Sequence, residues 1–357
     1  MKKGFSRLLV LTCFLSVLSS CEKDNDPVVV SPKSPIRVLI ANEGQFTYGT
    51  ASMTALMRDG EVRNDVFRTA NDRPLGDVAQ SITHHNTYYY VTLNNSRKIE
   101  VMNDTDFKSV ETILTPDASI PTYMCYMGGD SMAVSEKGSK GRLMIMDLNH
   151  GKQREPIRRI IDGVGSGNQM VVMNGKLFLA GATLRVFTLG QVSKSAMRSI
   201  LGSDGKAISV TGDSKLIVDK NNKIWALTSK KLVCIDPVTE SVVKELPFTG
   251  ITIGMFEGRL EISPDQTKLY FTGRVNSVKG ILTVNITDEV APTQLLFPLT
   301  DVRNLYNMAV SREGTIFICD VLFGSIARGL VHEYSVLGEK INSIEAGIFP
   351  QYIYFPN

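Results

Sequence analysis

Tryptophan, histidine and cysteine are scarce in this chain of 357 residues, with one, four and five copies. None of the histidines stands at a metal-ligand spacing: His84 and His85 are adjacent beside a turn, His150 lies in an Asn-His-Gly turn, and His332 stands alone in a late strand-like run. There is no HExxH, no CxxC and no EF-hand loop, so the usual sequence marks of zinc, dithiol and calcium sites are missing. Too few and too widely spaced for a disulfide framework, Cys125, Cys234 and Cys319 sit in apolar runs and read as buried thiols. After the first twenty residues no apolar run is long enough to cross a bilayer as a helix.

Nucleophile and phosphate loops are lacking as well. Gly163-Val164-Gly165-Ser166-Gly167 has no Lys-Ser/Thr after it and no nucleophile-elbow frame around its serine, so it reads as an inter-strand loop. Ser241-Val242-Val243-Lys244 falls on a predicted outer strand, where a Ser-x-x-Lys pair has no helix to present it. Carboxylates are scattered, and no catalytic residue is assigned. Excess charge is missing too: without residues 1–20 the chain has 36 Lys plus Arg against 36 Asp plus Glu and no basic cluster, which argues against nucleic-acid binding.

What is present at the N-terminus is a basic start (Lys2, Lys3, Arg7) followed by an apolar stretch, 8–18, too short to span a membrane. Residues 1–20 therefore read as a secretory signal peptide. It ends Leu18-Ser19-Ser20-Cys21, which resembles the lipobox of bacterial lipoproteins and makes Cys21 the expected lipidated first residue of the mature chain. Residues 21–35, acidic at first and proline-bearing later, read as a tether. The acidic run Glu22-Lys23-Asp24-Asn25-Asp26 also resembles the surface-export signal of Bacteroidetes lipoproteins, which implies an outer-membrane anchor facing the cell exterior; a solvated linker facing the periplasm is the alternative. The membrane is then met through the N-terminal lipid alone.

From residue 36 onward, short runs rich in β-branched and aromatic residues recur between polar turns, and helical periodicity is rare. The turns at Asn86, Gly129, Asn174, Asn221, Asp265 and Glu313 are spaced 43, 45, 47, 44 and 48 residues apart. Each period holds four strand-like runs, which is one propeller blade. Six repeats start near Ile82, Met124, Met170, Leu216, Ile262 and Met308, and a seventh is split between the two ends of the chain. The expected fold is all-β: a seven-bladed β-propeller over 36–357 with four-stranded antiparallel blades, closed by pairing the C-terminal strand with the N-terminal blade. Six blades, eight blades or a pair of sandwiches are the competing architectures. A single tryptophan, Trp225, in a second-strand position argues against quinone-cofactor propellers, whose blades carry several.

In a propeller, the loops into each innermost strand and out of each second strand gather on one face around the central channel. Read on that geometry, the candidate ligand-binding residues are Glu43, Phe46, Tyr48, Asp77, Gln80, Asn94, Asn95, Arg97, Tyr123, Gln169, Arg259, Arg274, Tyr306 and Gln351. Amides, single charges and aromatic rings suit a polar organic ligand better than a metal or a phosphate.

The segments Asn42-Glu43-Gly44, Asn64-Asp65, Pro74-Leu75-Gly76-Asp77-Val78-Ala79-Gln80-Ser81 and Asn94-Asn95-Ser96-Arg97-Lys98-Ile99-Glu100-Val101 together resemble the YncE-like propeller lipoproteins of Bacteroidetes. The motif match is concentrated in residues 40–105. Within that resemblance stands a BtuG-like group of cell-surface lipoproteins that capture vitamin B12 and pass it to a TonB-dependent, BtuB-like outer-membrane transporter. The resemblance implies cobalamin or another corrinoid as a transported ligand rather than a cofactor, and no enzyme activity. A wide, open face is what so large a ligand requires. A surface propeller for protein or glycan interaction and a lactonase-like enzyme are the alternative readings.

Overall fold

The computed structural model describes residues 1, 34–138, 141–149, 156–254 and 257–356. The expected signal peptide beyond Met1, the lipidation site Cys21, the tether as far as residue 33, and His150 lie outside the described residues.

Residues Ser34–Asn357 form one compact unit of seven antiparallel sheets, as expected from the repeat. Blade 1 is built from both ends of the unit: the innermost strand Pro350–Tyr354 pairs with Ile36–Asn42, followed outward by Ser52–Met57 and Val62–Arg63. The closing register sets Leu39 opposite Tyr354, Ile40 opposite Ile353 and Ala41 opposite Tyr352. Innermost strands of the other blades are Ala79–His85, Pro121–Gly128, Gly167–Met173, Ile217–Val218, Leu260–Ile262 and Leu305–Val310, in blades 2 to 7.

Two features depart from the regular pattern. A short helix, Val66–Asn71, links blade 1 to blade 2 and buries Val66 and Phe67. Blade 6 has five strands, because Ile251–Thr252 and Leu260–Ile262 pair in turn with the two ends of Lys268–Val275, so its innermost strand is interrupted between them.

The core is not one mass but seven apolar clusters, one between each pair of neighbouring blades. Blade 5 shows how they are filled: Trp225 and Leu227 pack toward blade 6, while Ile224 and Ala226 pack toward blade 4. A middle strand is thus buried on both faces, and Ile224–Leu227 and Leu143–Asp147 are buried throughout. Both-face burial explains why these runs read as continuous apolar stretches with little alternation. Cys234 and Cys319 are buried free thiols in these clusters and Cys125 is half-buried; burial pushes Cys234 up to about 12 and Cys125 up to about 11.

Candidate functional site

One polar side chain from each blade stands at an equivalent place where the innermost strand begins: Gln80, Tyr123, Asn168, Asp213, Arg259, Tyr306 and Gln351, at intervals of 43, 45, 45, 46, 47 and 45 residues. In five blades this residue lies in a β-bulge. The ladder skips Gln80 between Ala79 and Ser81, Tyr306 between Leu305 and Asn307, and Gln351 between Pro350 and Tyr352; Tyr123 and Asn168 lie in similar shifts. A bulge adds a residue to one strand and re-aims its side chain. In blade 5 the equivalent residue, Asp213, precedes a strand of only two residues, and in blade 6 Arg259 stands at the interruption.

Contacts between blades that are not neighbours show that these side chains reach across the channel. Gln351 Nε2 of blade 1 donates to the Tyr123 hydroxyl of blade 3 at 3.3 Å. Lys137, on a blade 3 loop, pairs with Asp213 of blade 5. Arg259 donates through its two terminal nitrogens to the carbonyls of Gly258, at 3.0 Å, and Tyr306, at 2.5 Å. One layer deeper, Lys215 pairs with Glu261 at 2.5 Å and lies 5.9 Å from the centre of the Tyr352 ring. Burial works to lower the Lys215 ammonium, but the Glu261 carboxylate outweighs it and holds Lys215 above the usual lysine range. The channel is therefore filled beneath its mouth, and the face is less open than expected.

The mouth is organised by a knot of backbone and side-chain bonds around Asp77. Its Oδ2 accepts from the Thr47 amide at 2.8 Å and from Asn95 Nδ2 at 2.5 Å, and its own amide donates to Ser96 Oγ at 2.8 Å. The Val78 amide donates to the Glu43 carbonyl at 3.1 Å and the Asn94 amide to the Val78 carbonyl at 2.9 Å. Asp77 thus braces the loop 43–51 against blade 2. Glu43, at the root of that loop, accepts from Tyr306 Oη at 2.7 Å on one carboxylate oxygen and from Gln80 Nε2 at 2.5 Å on the other. Burial raises the Glu43 carboxyl above its ordinary range, opposed by those two hydrogen bonds. Burial also works to raise Asp213, but Lys137 and Arg259 outweigh it and hold Asp213 low.

Beside Glu43 lies a hollow of about 380 Å³ lined by Glu43, Gly44, Gln45, Phe46, Tyr306, Gly324, Ser325 and Phe349. Tyr306, Phe323 and Phe349 form a three-ring wall with centroids 5.9 to 6.1 Å apart and no two rings parallel. A second hollow of about 260 Å³ lies across the same loop, with Thr50, Phe67, Leu75 and Arg328 among its lining residues.

Of the residues proposed from sequence, Gln80, Tyr123, Arg259, Tyr306 and Gln351 meet in the ring, with Glu43 and Phe46 at the mouth. Asp77, Asn94 and Asn95 belong to the bracing knot. Tyr48 and Arg97 are exposed on adjoining loops, and Arg274 is tied to Glu257, its Nε 2.9 Å from the carboxylate, at the outer end of its strand. At blade 4 the ring position is Asn168, with Gln169 beside it in the same bulge. Asp213, Phe323 and Phe349 were not among the expected residues. The signal for Asp213 was the spacing of about 45 residues between polar residues at the strand starts; Phe323 lies in a loop leaving a second strand, which propeller geometry places at the mouth, and Phe349 carried none.

Several solved propellers resemble the chain in fold. A candidate 6-phosphogluconolactonase from Bacteroides fragilis matches with a TM-score of 0.64 at 10% identity, covering 91% of this chain and 100% of that one. Hydrazine synthase of Kuenenia stuttgartiensis matches with 0.57 at 12% identity, over 77% and 88%. BamB from Moraxella catarrhalis matches with 0.53 at 14% identity, over 88% and 84%. At such identities these likenesses concern the fold alone. No curated protein sequence matches the chain. Residues 37–357, nearly the whole propeller, match a family described as a domain of unknown function, and the chain belongs to that family, DUF5074.

Proposed function

We propose that this chain is a capture protein, held at the outer-membrane surface through lipid on Cys21, that binds cobalamin or a related corrinoid on its ring face and delivers it to a TonB-dependent transporter. The observation that carries this reading is the knot at the channel mouth. The segments 42–44, 74–81 and 94–101, which carry most of the likeness to YncE-like surface lipoproteins, meet there through the loop 43–51, beside an aromatic hollow and a ring of amide and hydroxyl groups. A corrinoid offers a broad face to rings such as Phe46 and Tyr306 and a rim of amides to Gln80, Asn168 and Gln351. Because the channel is filled, the ligand would rest across the loop rim, with one arm in the hollow of about 380 Å³.

A binding role rather than a catalytic one is part of the proposal. It is supported by the way Glu43, Asp213 and Arg259 are engaged with one another's neighbours, and by the placement of His332 in the third strand of blade 7, away from the ring. A protein or glycan partner is the second reading, favoured by Phe46 and Tyr48, which are 65% and 67% exposed on the rim. Calorimetric titration of the compact unit Ser34–Asn357 with cyanocobalamin tests the first. Tight one-to-one binding, weakened by Phe46→Ala and Tyr306→Ala, is the expected result. No heat and no shift in melting temperature would remove the corrinoid and direct the search to pull-down of a macromolecular partner.

A further inference from the structure

Glu43 is the one carboxylate that lines the hollow of about 380 Å³, and both of its oxygens are held by neutral donors, the Tyr306 hydroxyl at 2.7 Å and the Gln80 amide at 2.5 Å. Lys137, whose charge acts on it, is already paired with Asp213. A half-buried carboxylate held only by neutral donors carries a desolvation cost, and a positive ligand placed beside it recovers that cost. Around it the walls are aromatic. Phe46, Tyr306 and Phe349 line the hollow, with Phe323 in ring contact with the last two, and aromatic rings attract a cation within about 6 Å of a ring centre.

From this juxtaposition we infer that the hollow is a subsite for an organic cation, a methylated ammonium group or a cationic nitrogen heterocycle, seated on the Phe46, Tyr306 and Phe349 rings with its charge toward Glu43. The volume admits a group of choline size and not a whole macrocycle. The inference does not rest on corrinoid capture: a small cation can occupy the hollow whenever no corrinoid arm enters it.

The test compares choline with 3,3-dimethyl-1-butanol, its uncharged isostere, by ligand-observed NMR titration of the compact unit Ser34–Asn357. Choline is expected to bind about ten-fold more tightly than the alcohol. Glu43→Gln keeps the shape and removes the charge, so it should abolish the preference, while Phe46→Ala, at an exposed position that cannot unfold the core, should weaken choline about three-fold or more. Equal binding of the two probes, absence of choline binding at millimolar concentration, or a preference that survives Glu43→Gln would each overturn the assignment. Cyanocobalamin titrated against the unsubstituted unit separates the two proposals, because absence of choline selectivity there with intact corrinoid binding condemns only the cation site.

Discussion

Asp320 ends the second strand of blade 7 at 1% exposure, accepting from the Asn304 amide at 2.8 Å and Arg303 Nε at 3.1 Å, with His332 Nε2 at 3.4 Å. Burial works to raise its carboxyl, but those donors outweigh burial and hold it at about 2, against an ordinary value of 3.8. A folded-state value below the unfolded one means that the stabilisation is complete above about pH 4 and is lost as pH falls toward about 2. Asp320→Asn is therefore expected to cost about 2 kcal/mol at neutral pH and to flatten the acid limb of melting temperature against pH. Thermal denaturation across that range, wild type beside variant, checks both parts; an unchanged acid limb would show that Asp320 does not set it. At this scale the sequence was only partly legible. Gln80 and Tyr306 stood in strand-entry positions that propeller geometry picks out, whereas Asp213 was marked by spacing alone, because its strand is reduced to Ile217–Val218 and no apolar run shows where it starts.

The loop 43–51 carries Glu43 and Phe46 into the mouth, and Gly44 lets it turn there. Gly44 has a φ of +77°, and a Cβ on it would collide with the backbone of Thr50 and Ala51. Gly44→Ala should cost about 2 kcal/mol or more through strain and displaced backbone, and should impair ligand binding at the mouth beyond what lower stability explains. Urea denaturation read beside titration at a temperature where both proteins are folded measures the two effects separately. Strands were legible from their β-branched runs and turns, but the bulges were not. A bulge is a mismatch between two strands, so the extra residue at Gln80 or Gln351 is defined only once the partner strand is in place. The split inner strand of blade 6 was hidden for the same reason, since Ile251–Thr252 is identifiable as a strand only through its pairing with Arg274 and Val275.

Blade number and closure were legible because they depend on spacing alone: a constant interval between turns and a leftover strand at the C-terminus. The innermost strand of blade 1 comes from that end and packs Ile353 into the cluster between blades 7 and 1. Truncation before Pro350 should remove cooperative unfolding, detected as a broad, low-temperature transition by circular dichroism, whereas a truncated chain melting like the intact one would refute a closing role for this strand. Trp225 reports on the same property from the other side of the ring. It is the only tryptophan, 1% exposed and hydrogen-bonded to Asp219 at 2.9 Å, in the cluster between blades 5 and 6. In the intact unit its emission should shift together with the circular dichroism signal; in the truncated chain the two should separate. The closing strand pair also fixes where the preceding chain joins the domain. Ile36–Asn42 runs toward the ring face, so Ile36 lies at the opposite end of the blade, some 20 Å below the mouth. Were the chain anchored as proposed above, its point of entry at Ile36 would leave the mouth at the other end of the blade clear of the attachment.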